Sequence, residues 1–523
     1  MTLEEKVGQI MMVFFEGSTL SENLRKFVAE LKVGGVILYS SRNNIESVGQ
    51  VAELNWAIQQ TARDAGSPPL FISIDQEGGL VNRIREGVTL FPGNMALGAI
   101  GDPSLAGRVA AVMGEELASL GINVNFAPVV DVNNNPMNPI IGVRSFGSAP
   151  RAVARLGSAM ISSFMEKGVL PAAKHFPGHG DTAVDSHTGL PLIPASKNRL
   201  EEVEFPPFQA AIDAGVPMVM TAHVLVPSLD EKNPATLSSS ILGMLRSEMG
   251  FKGLIITDSM GMAALKKERT MEEAAIGAFN AGADILLFGA DKGHEETEHF
   301  GIYSALLDSC RRGKISADRL DESVGRILAA KETLGLFGRN WRPAFSPCLS
   351  PDGSATAREA ALRSITVARN RRDILQTVRD GKKRPLLWPR ERIAAGTVFA
   401  EFFPSVDLIE VPEKPEERDM ADALRRTGDA DRVLIADYDS GRNPEWLELV
   451  RKVGEDRTLL LSLRTPYALL SLPSVAGAVI SYSDNIPSLQ ALADVLGGRA
   501  PAKGTLPVEL PGFRTTQGGR LNP

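Results

Sequence analysis

The sequence predicts two α/β domains: a (β/α)8 TIM-type barrel and, after it, a second α/β domain with an open, doubly wound sheet. In the first 340 residues, eight short apolar runs rich in β-branched residues alternate with longer amphipathic stretches. Eight consecutive βα units are the repeat that closes a barrel. A segment rich in Pro, Gly and Ser then leads to six further strand-like runs with helices between them. Alternation of this kind is typical of an open sheet covered on both faces.

The eight barrel strands are predicted from runs that have the composition of strands buried on both faces. They are residues 7–15, 34–40, 68–75, 122–130, 168–176, 216–223, 253–259 and 283–289. Helical periodicity lies between them, as in residues 21–32, 103–120, 151–168 and 271–282. The first run has two interpretations, because residues 7–15 could also continue a helix that begins at Leu3.

The domain limits follow from the linker-like segment FGRNWRPAFSPCLSPDGS. We expect the barrel in residues 1–340, a linker in residues 341–354 and a C-terminal α/β sandwich domain in residues 355–523. The strands predicted for the second domain are residues 365–370, 384–389, 405–412, 430–439, 458–466 and 476–483. Neither GxGxxG nor GxxxxGKS/T follows any of these strands, so the sequence carries no nucleotide-binding fingerprint.

Composition argues against several classes of function. Lys and Arg number 56 against 63 Asp and Glu, a net charge of −7, whereas nucleic-acid-binding proteins normally show a basic excess. The two cysteines, Cys310 and Cys348, are too few for a disulfide framework. No run reaches the ~18 apolar residues of a membrane span, and the first residues lack the pattern of a signal peptide. We therefore expect a cytoplasmic protein, or a secreted one if a signal peptide has been removed.

Ionisable side chains stand at the carboxyl ends of several predicted strands. They are Asp75, Asp131, Lys174, His175, His223 and Asp258. Any strand needs a polar end, so one or two such residues would carry no information. Because the carboxyl ends of barrel strands meet at one face and form the active site there, five strand ends with ionisable groups predict a catalytic site.

Residues 174–190, KHFPGHGDTAVDSHTGL, hold three of the six histidines of the chain. A metal site is one interpretation, but the proline and glycines prevent a helix that would present His175 and His179 on one face. We therefore expect no metal. Asp185 and His187 stand at positions i and i+2, which project to the same side of an extended segment. The carboxylate would then orient the imidazole for proton transfer, while a solvated loop without this pairing is the competing interpretation.

Four further positions are candidates for the site, and three of them have a second interpretation. Asp258 ends an apolar run and could be a nucleophilic carboxylate that attacks an anomeric carbon, or the N-cap of the next helix. Asp75, in LFISIDQEGGLVNRIR, could accept hydrogen bonds from sugar hydroxyls. Arg83 and Arg144 could donate to such hydroxyls, or be surface charges.

Together, the segments KHFPGHGDTAVDSH, ITDSMGM, IDQEGG, RSFG and MTAHV resemble, in order and spacing, the motifs of family 3 glycoside hydrolases. They are most similar to the bacterial β-N-acetylglucosaminidase (β-hexosaminidase) branch. The resemblance runs from about Met1 to about Leu336, and more loosely through the second domain. It implies a retaining exo-acting hydrolase that needs no cofactor. The implied substrates are glycans with terminal β-linked N-acetylglucosamine, such as peptidoglycan fragments or chitooligosaccharides.

The same resemblance implies roles for individual residues. Asp258 would be the nucleophile that forms a covalent glycosyl-aspartate, and His187 would be the general acid/base, assisted by Asp185. The subsite for the sugar ring would be lined by Asp75, Arg83, Arg144, Lys174, His175 and His223. The sequence departs from the family pattern at Leu80, where an arginine is common. We also expect a cis peptide bond between Phe176 and Pro177.

Other activities remain as alternatives at this level. A broad-specificity β-glycosidase would share the same residues. A β-N-acetylglucosaminide phosphorylase would as well, because a histidine acid/base lets an anionic acceptor such as phosphate approach more easily than a carboxylate would. A sugar-binding protein without activity and a metal-dependent hydrolase are the remaining hypotheses.

Overall fold

Eight parallel strands form one sheet in the first part of the chain. The computed structural model describes residues 1–186, 189–266, 269–338, 349–510, 514–515 and 521–522. The strands are β1 (Met11–Val13), β2 (Gly35–Leu38), β3 (Phe71–Ile74), β4 (Val124–Asn125), β5 (Leu170–Phe176), β6 (Met218–Thr221), β7 (Leu254–Ile256) and β8 (Leu286–Phe288). They pair in the order β8-β1-β2-β3-β4-β5-β6-β7, and every pair is parallel.

The sheet closes on itself between β7 and β8. Ile256 and Ile285 form a parallel bridge, and the backbone N–H groups of Asp284 and Ile285 donate to the carbonyl oxygen of Ile255. The predicted (β/α)8 barrel is therefore confirmed, and each of the eight predicted runs contains a strand. Because the strands are parallel, their carboxyl ends meet at one face of the barrel.

Helices surround the barrel where amphipathic stretches were predicted. They are α1 (Leu3–Gln9), α2 (Glu22–Ala29), α3 (Val48–Asp64), α4 (Asn94–Ile100), α5 (Pro103–Ser119), α6 (Pro150–Glu166), α7 (Lys197–Glu202), α8 (Phe205–Asp213), α9 (Ser239–Ser247), α10 (Ala263–Lys266), α11 (Met271–Ala281), α12 (Glu298–Arg311) and α13 (Ala317–Thr333). Several begin at a capping side chain, as where the Ser47 hydroxyl accepts from the backbone N–H of Gln50 at the start of α3. Within the described residues, no helix is long and apolar enough to cross a membrane.

The first predicted run, residues 7–15, divides between two elements. Helix α1 extends to Gln9, and β1 begins at Met11. Thr2 and Glu5 form a capping box at the start of α1. The two capping hydrogen bonds stabilise this short helix. The predicted strand was therefore too long at its N-terminal end, because one apolar run serves both a helix and a strand.

A second sheet occupies the C-terminal part of the chain. Its strands are β9 (Thr366–Asn370), β10 (Arg384–Pro389), β11 (Val406–Val411), β12 (Val433–Asp437), β13 (Thr458–Ser462) and β14 (Gly477–Ile480). They pair in the order β9-β14-β13-β12-β10-β11, with β9 antiparallel to β14 and the other pairs parallel. The predicted open α/β domain is confirmed.

Helices of the second domain alternate with these strands. They are α14 (Gly353–Ser364), α15 (Ile374–Thr377), α16 (Ile393–Phe402), α17 (Glu417–Thr427), α18 (Pro444–Val453), α19 (Ala468–Ser471) and α20 (Ile486–Leu496). Two short strands, Arg514–Thr515 and Leu521–Asn522, pair with each other after them. Helix α14 packs against α4 and α5 of the barrel region and against α20, so it connects the two sheets.

The predicted linker, residues 341–354, falls largely outside the described residues, which omit 339–348. Its last two residues already belong to α14, which begins at Gly353. The limits 1–340 and 355–523 for the two domains remain a proposal.

Lys331 of α13 is fully buried. Its Nζ donates to Oε1 of Gln9 at 2.7 Å and lies 5.1 Å from the ring centre of Phe71. Burial lowers the pKa of Lys331 from its usual 10.5 to about 7, because an apolar surrounding disfavours the charged form.

The folded state therefore binds fewer protons than the unfolded state between about pH 7 and 10.5, and stability rises with pH in that window. We expect the free energy of unfolding of the native protein to increase between pH 7 and 9 by about 2 kcal/mol more than that of Lys331→Met. Urea unfolding at both pH values measures this difference. Equal pH dependence in the two proteins would contradict it, whatever the variant does to absolute stability.

Candidate active site

A cavity of about 650 Å³ opens at the carboxyl ends of the barrel strands. Six of the residues predicted for the site line it: Asp75, Arg83, Arg144, Lys174, His175 and Asp258. Asp75 follows β3, Lys174 and His175 lie in β5, and Asp258 follows β7. These residues are far apart in the sequence, and the closed barrel brings their strand ends together.

Five charged side chains form a connected cluster on one wall of the cavity. The Lys174 ammonium lies 2.8 Å from Oδ1 of Asp75 and 2.7 Å from Oε1 of Glu77. The Arg144 guanidinium binds Glu77 with two hydrogen bonds, of 2.9 and 2.8 Å. Arg83 lies 3.4 Å from Oδ2 of Asp75. The bidentate pair of Arg144 and Glu77 fixes both side chains in one geometry.

The members of this cluster hold each other in their charged forms. Burial by itself would raise the pKa of Glu77, but Arg144 and Lys174 hold it far below its usual value. Burial would likewise raise the pKa of Asp75, and Lys174 and Arg83 lower it. Burial would lower the pKa of Lys174, whereas the two carboxylates raise it. The wall therefore presents fixed charges, with donors and acceptors already oriented, to anything bound in the cavity.

A buried carboxylate behind this wall fixes the backbone that follows β5. Asp131 accepts hydrogen bonds from the backbone N–H groups of His175 and His179, at 3.2 and 2.8 Å, and from Nδ1 of His175 at 2.8 Å. Since Nδ1 of His175 donates to Asp131, its Nε2 is left to accept from Arg144, which lies 3.4 Å away. The ring of His175 is thus held in one tautomer. The peptide bond between Phe176 and Pro177 is cis, as predicted.

His179 lies in the cavity wall with both ring nitrogens engaged. Its Nδ1 is 3.0 Å from the hydroxyl of Thr182, and its Nε2 is 3.2 Å from the hydroxyl of Ser186. Burial lowers the pKa of His179 to about 4, so the ring is neutral at pH 7. Within the described residues, no group of three or more His, Cys, Asp or Glu side chains is arranged to hold a metal ion.

The predicted acid/base pair is only partly described. His187 lies outside the described residues, together with Thr188. Asp185 is partly exposed and is not among the residues that line the cavity. Ser186, between them, is buried and does line the cavity. The segment that precedes His187 therefore reaches the cavity wall.

Asp258 faces the cavity from the end of β7. Its Oδ1 accepts a hydrogen bond of 2.7 Å from the backbone N–H of Ser259, and its own N–H donates to the carbonyl oxygen of Thr221. The alternative interpretation as a helix N-cap is wrong, because the next helix, α10, begins only at Ala263. Asp258 thus follows the strand, and the backbone N–H of the next residue holds its carboxylate in place.

Ser259, the residue after Asp258, is fixed by hydrogen bonds of its hydroxyl and its carbonyl oxygen. Its hydroxyl donates to Asp291 and accepts from the backbone N–H of Gly289 at 2.8 Å. Its carbonyl oxygen accepts from Nε2 of His223 at 2.8 Å, and Nδ1 of His223 lies 2.7 Å from the hydroxyl of Thr236. These contacts hold the backbone next to Asp258 in place.

His223 therefore does not have the place that we expected for it. It is fully buried and is not among the residues lining the cavity. Both of its ring nitrogens contact protein groups, so the ring supports the Ser259 backbone one layer behind the wall. The role of His223 as a sugar contact stays a prediction, while its ring nitrogens contact Ser259 and Thr236 in this structure.

Glu77 was missed as a candidate, although it lies in the segment IDQEGG that had been singled out. Asp131 was noted as an ionisable strand end, but no role was assigned to it. The signal that would have found Glu77 is the need of Lys174 and Arg144 for a second carboxylate. Tyr39, whose ring lies 5.4 Å from the Arg83 guanidinium, carries no comparable signal.

We expect Glu77→Gln to lower the free energy of unfolding by about 3–5 kcal/mol, because it leaves two buried cations with too little negative charge. Glu115→Gln is the matched control: Glu115 pairs with Lys167 at 3.3 Å on the surface, and its loss should cost less than about 1 kcal/mol. Chemical denaturation of both variants measures the difference. Similar small losses in both would show that the buried cluster is not under this electrostatic constraint.

The amino-acid sequence is similar to a known family and to several named proteins. A family model described as "Glycosyl hydrolase family 3 N terminal domain" matches residues 2–330. The chain is 35% identical over 551 residues to "Beta-hexosaminidase A" of Pseudoalteromonas piscicida, covering 94% of this chain and 91% of that protein. It is 31% identical over 544 residues to "Beta-N-acetylglucosaminidase/beta-glucosidase" of Cellulomonas fimi, covering 97% and 93%.

A solved structure is similar over nearly the whole chain. The family 3 β-N-acetylglucosaminidase of Paenibacillus sp. str. FPU-7 superposes with a TM-score of 0.92 at 37% identity and covers 98% of this chain and 99% of that one. Barrel, second domain and family match thus agree. The chain belongs to glycosyl hydrolase family 3 and is a glycoside hydrolase.

Proposed function

We propose that this protein is a retaining exo-β-N-acetylglucosaminidase, which releases terminal β-linked N-acetylglucosamine from the non-reducing end of glycans. The observation that carries the proposal is the position of Asp258 in the same cavity as the charged cluster of Asp75, Lys174 and Arg144. A retaining glycosidase needs a nucleophilic carboxylate in the cavity that binds the sugar. The names of the relatives support the choice of N-acetylglucosamine.

Asp258 acts as the nucleophile. Its carboxylate bonds to the anomeric carbon while the bond from that carbon to the leaving oxygen breaks. Water then attacks the glycosyl ester, and Asp258 leaves as a carboxylate. The hydrogen bond from the Ser259 N–H holds one carboxylate oxygen. Because the carboxylate is already oriented, little conformational entropy is lost when it attacks.

His187 acts as the general acid/base, with Asp185 as its orienting carboxylate. As an imidazolium it gives its proton to the leaving oxygen; as a neutral imidazole it takes a proton from the attacking water. The DSH sequence and the position of Ser186 in the cavity wall support this assignment.

The sugar ring binds against the charged wall. Asp75 has carboxylate oxygens that accept from hydroxyl groups, while Arg83, Arg144 and Lys174 donate. His175 is fixed by Asp131 and Arg144. Because the cluster is rigid before the sugar arrives, little free energy is lost in ordering it.

We expect Asp258→Asn to reduce kcat on aryl N-acetylglucosaminides by at least about 10³-fold without a change in melting temperature, because it removes the nucleophile and keeps the side-chain shape. Mass spectrometry of the native enzyme quenched during turnover should find the sugar mass on the peptide that contains Asp258. A product released first as the α-anomer, seen by NMR, would contradict the retaining mechanism.

We expect His187→Ala to depend on the leaving group. Aryl glycosides with good leaving groups need little protonation, whereas alkyl glycosides and oligosaccharides should lose about 10²–10⁴-fold in kcat/KM. Equal losses on both classes would contradict the acid/base assignment.

The same assay with aryl glucosides, and with added phosphate, distinguishes the two alternatives. Turnover of glucosides indicates a broad-specificity β-glycosidase, and a sugar 1-phosphate product indicates a phosphorylase.

A further inference from the structure

One loop of the barrel beside the cavity, residues 132–141, contacts the second domain. The Nδ2 of Asn133 donates to the Tyr467 hydroxyl at 2.8 Å, and both groups are buried. Nη1 of Arg442 donates to the carbonyl oxygen of Asn138 at 3.3 Å. Arg442 is held in turn by Asp439, at 3.4 Å. One side of this loop is therefore attached to the second domain.

The other side of the loop is attached to residues 178–186, and Asn138 makes the connection. Its Nδ2 lies 2.8 and 2.9 Å from the carbonyl oxygens of His179 and Gly180. Its Oδ1 accepts from the backbone N–H groups of Ile140 and Ile141, at 3.0 and 2.8 Å. Donors and acceptors are matched in only one orientation of the amide, so the side chain cannot rotate without losing several bonds.

The two backbones are also in direct contact. A Cβ atom at Gly180 would lie 1.8 Å from the carbonyl oxygen of Val132, so only glycine permits this approach. A shift of the loop towards Gly180 must therefore displace residues 178–186, because there is no free space between the two backbones at this point.

The contacts continue from this point to the cavity. Thr182 receives a hydrogen bond of 3.3 Å from Asn138 and lies 3.0 Å from Nδ1 of His179. Nε2 of His179 is 3.2 Å from the hydroxyl of Ser186. Ser186 lines the cavity and directly precedes His187 in the sequence.

We propose that Asn138 is a positioning residue for proton transfer, and that the second domain contributes to this positioning through Arg442. The inference rests on the proposed role of His187 as the acid/base. It assigns to the second domain a function in catalysis without a catalytic residue of its own. Asn138 makes none of its described hydrogen bonds to Asp75, Lys174 or Arg144. Among the described hydrogen bonds, the loop reaches these side chains only at the Ile140 carbonyl oxygen, which accepts from Nη1 of Arg144 at 3.2 Å.

The test compares substrates with good and poor leaving groups in the full-length enzyme. We expect Asn138→Ala to lower kcat/KM by about ten- to a hundredfold on alkyl glycosides and to leave activated aryl glycosides far less affected. The inhibition constant of N-acetylglucosamine should change much less than kcat/KM on alkyl glycosides, since Asn138 itself contacts no side chain of the charged wall. Azide, which attacks the glycosyl ester without needing a base, should raise the turnover of the variant on aryl glycosides and yield a glycosyl azide.

Arg442→Ala is the second variant, in case Asn138→Ala does not fold. It should give the same pattern with a smaller loss, because it removes one of the contacts of the loop. Arg425→Ala is the matched control: Arg425 pairs with Asp422 three residues before it, as Arg442 pairs with Asp439, but on the surface of α17. It should leave both substrate classes unchanged.

Two outcomes would overturn the inference and are distinguishable. If His187→Ala depends on the leaving group but Asn138→Ala and Arg442→Ala lower both substrate classes equally, or neither, the positioning role is wrong and the proposed function stands. If His187→Ala itself lowers both classes equally, the acid/base assignment fails and the inference fails with it.

Discussion

The site depends above all on the mutual neutralisation of buried charges at the mouth of the barrel. Glu77 binds Lys174 and Arg144 at once, and each of these groups would be costly to bury alone. The closed parallel sheet makes the cluster possible, because it brings strand ends from distant parts of the chain to one face. In return, the cluster fixes where a polar ligand can bind.

A second set of interactions fixes the backbone around the proposed reacting groups. Asp131 holds the end of β5 and the segment after it by two backbone N–H groups and one imidazole, and Ser259 holds the segment after β7. Neither residue has to touch a substrate to matter. Their effect is to leave Asp258 and the residues up to Ser186 few alternative positions, which is the preorganisation that enzymatic electrostatics requires.

Much of the fold was predictable because local patterns carry it. Every predicted barrel run contains a strand, since a strand buried on both faces must be apolar throughout. The boundary at residues 7–15 was not predictable in the same way, because an apolar run fits a short helix as well as a strand. Glu77 was missed because its role arises only from partners that lie 67 and 97 residues further along the chain.

The fold class, the strand ends that carry ionisable groups and the motifs that identify the family can all be read from the order of the amino acids. Which of those groups face the cavity depends on how distant segments pack together. His223 and Asp258 both follow strand-like runs, yet one lies behind the wall and the other in it. Hydrophobic periodicity specifies which residues are buried, whereas the partner of a buried polar group depends on contacts between segments distant in the chain.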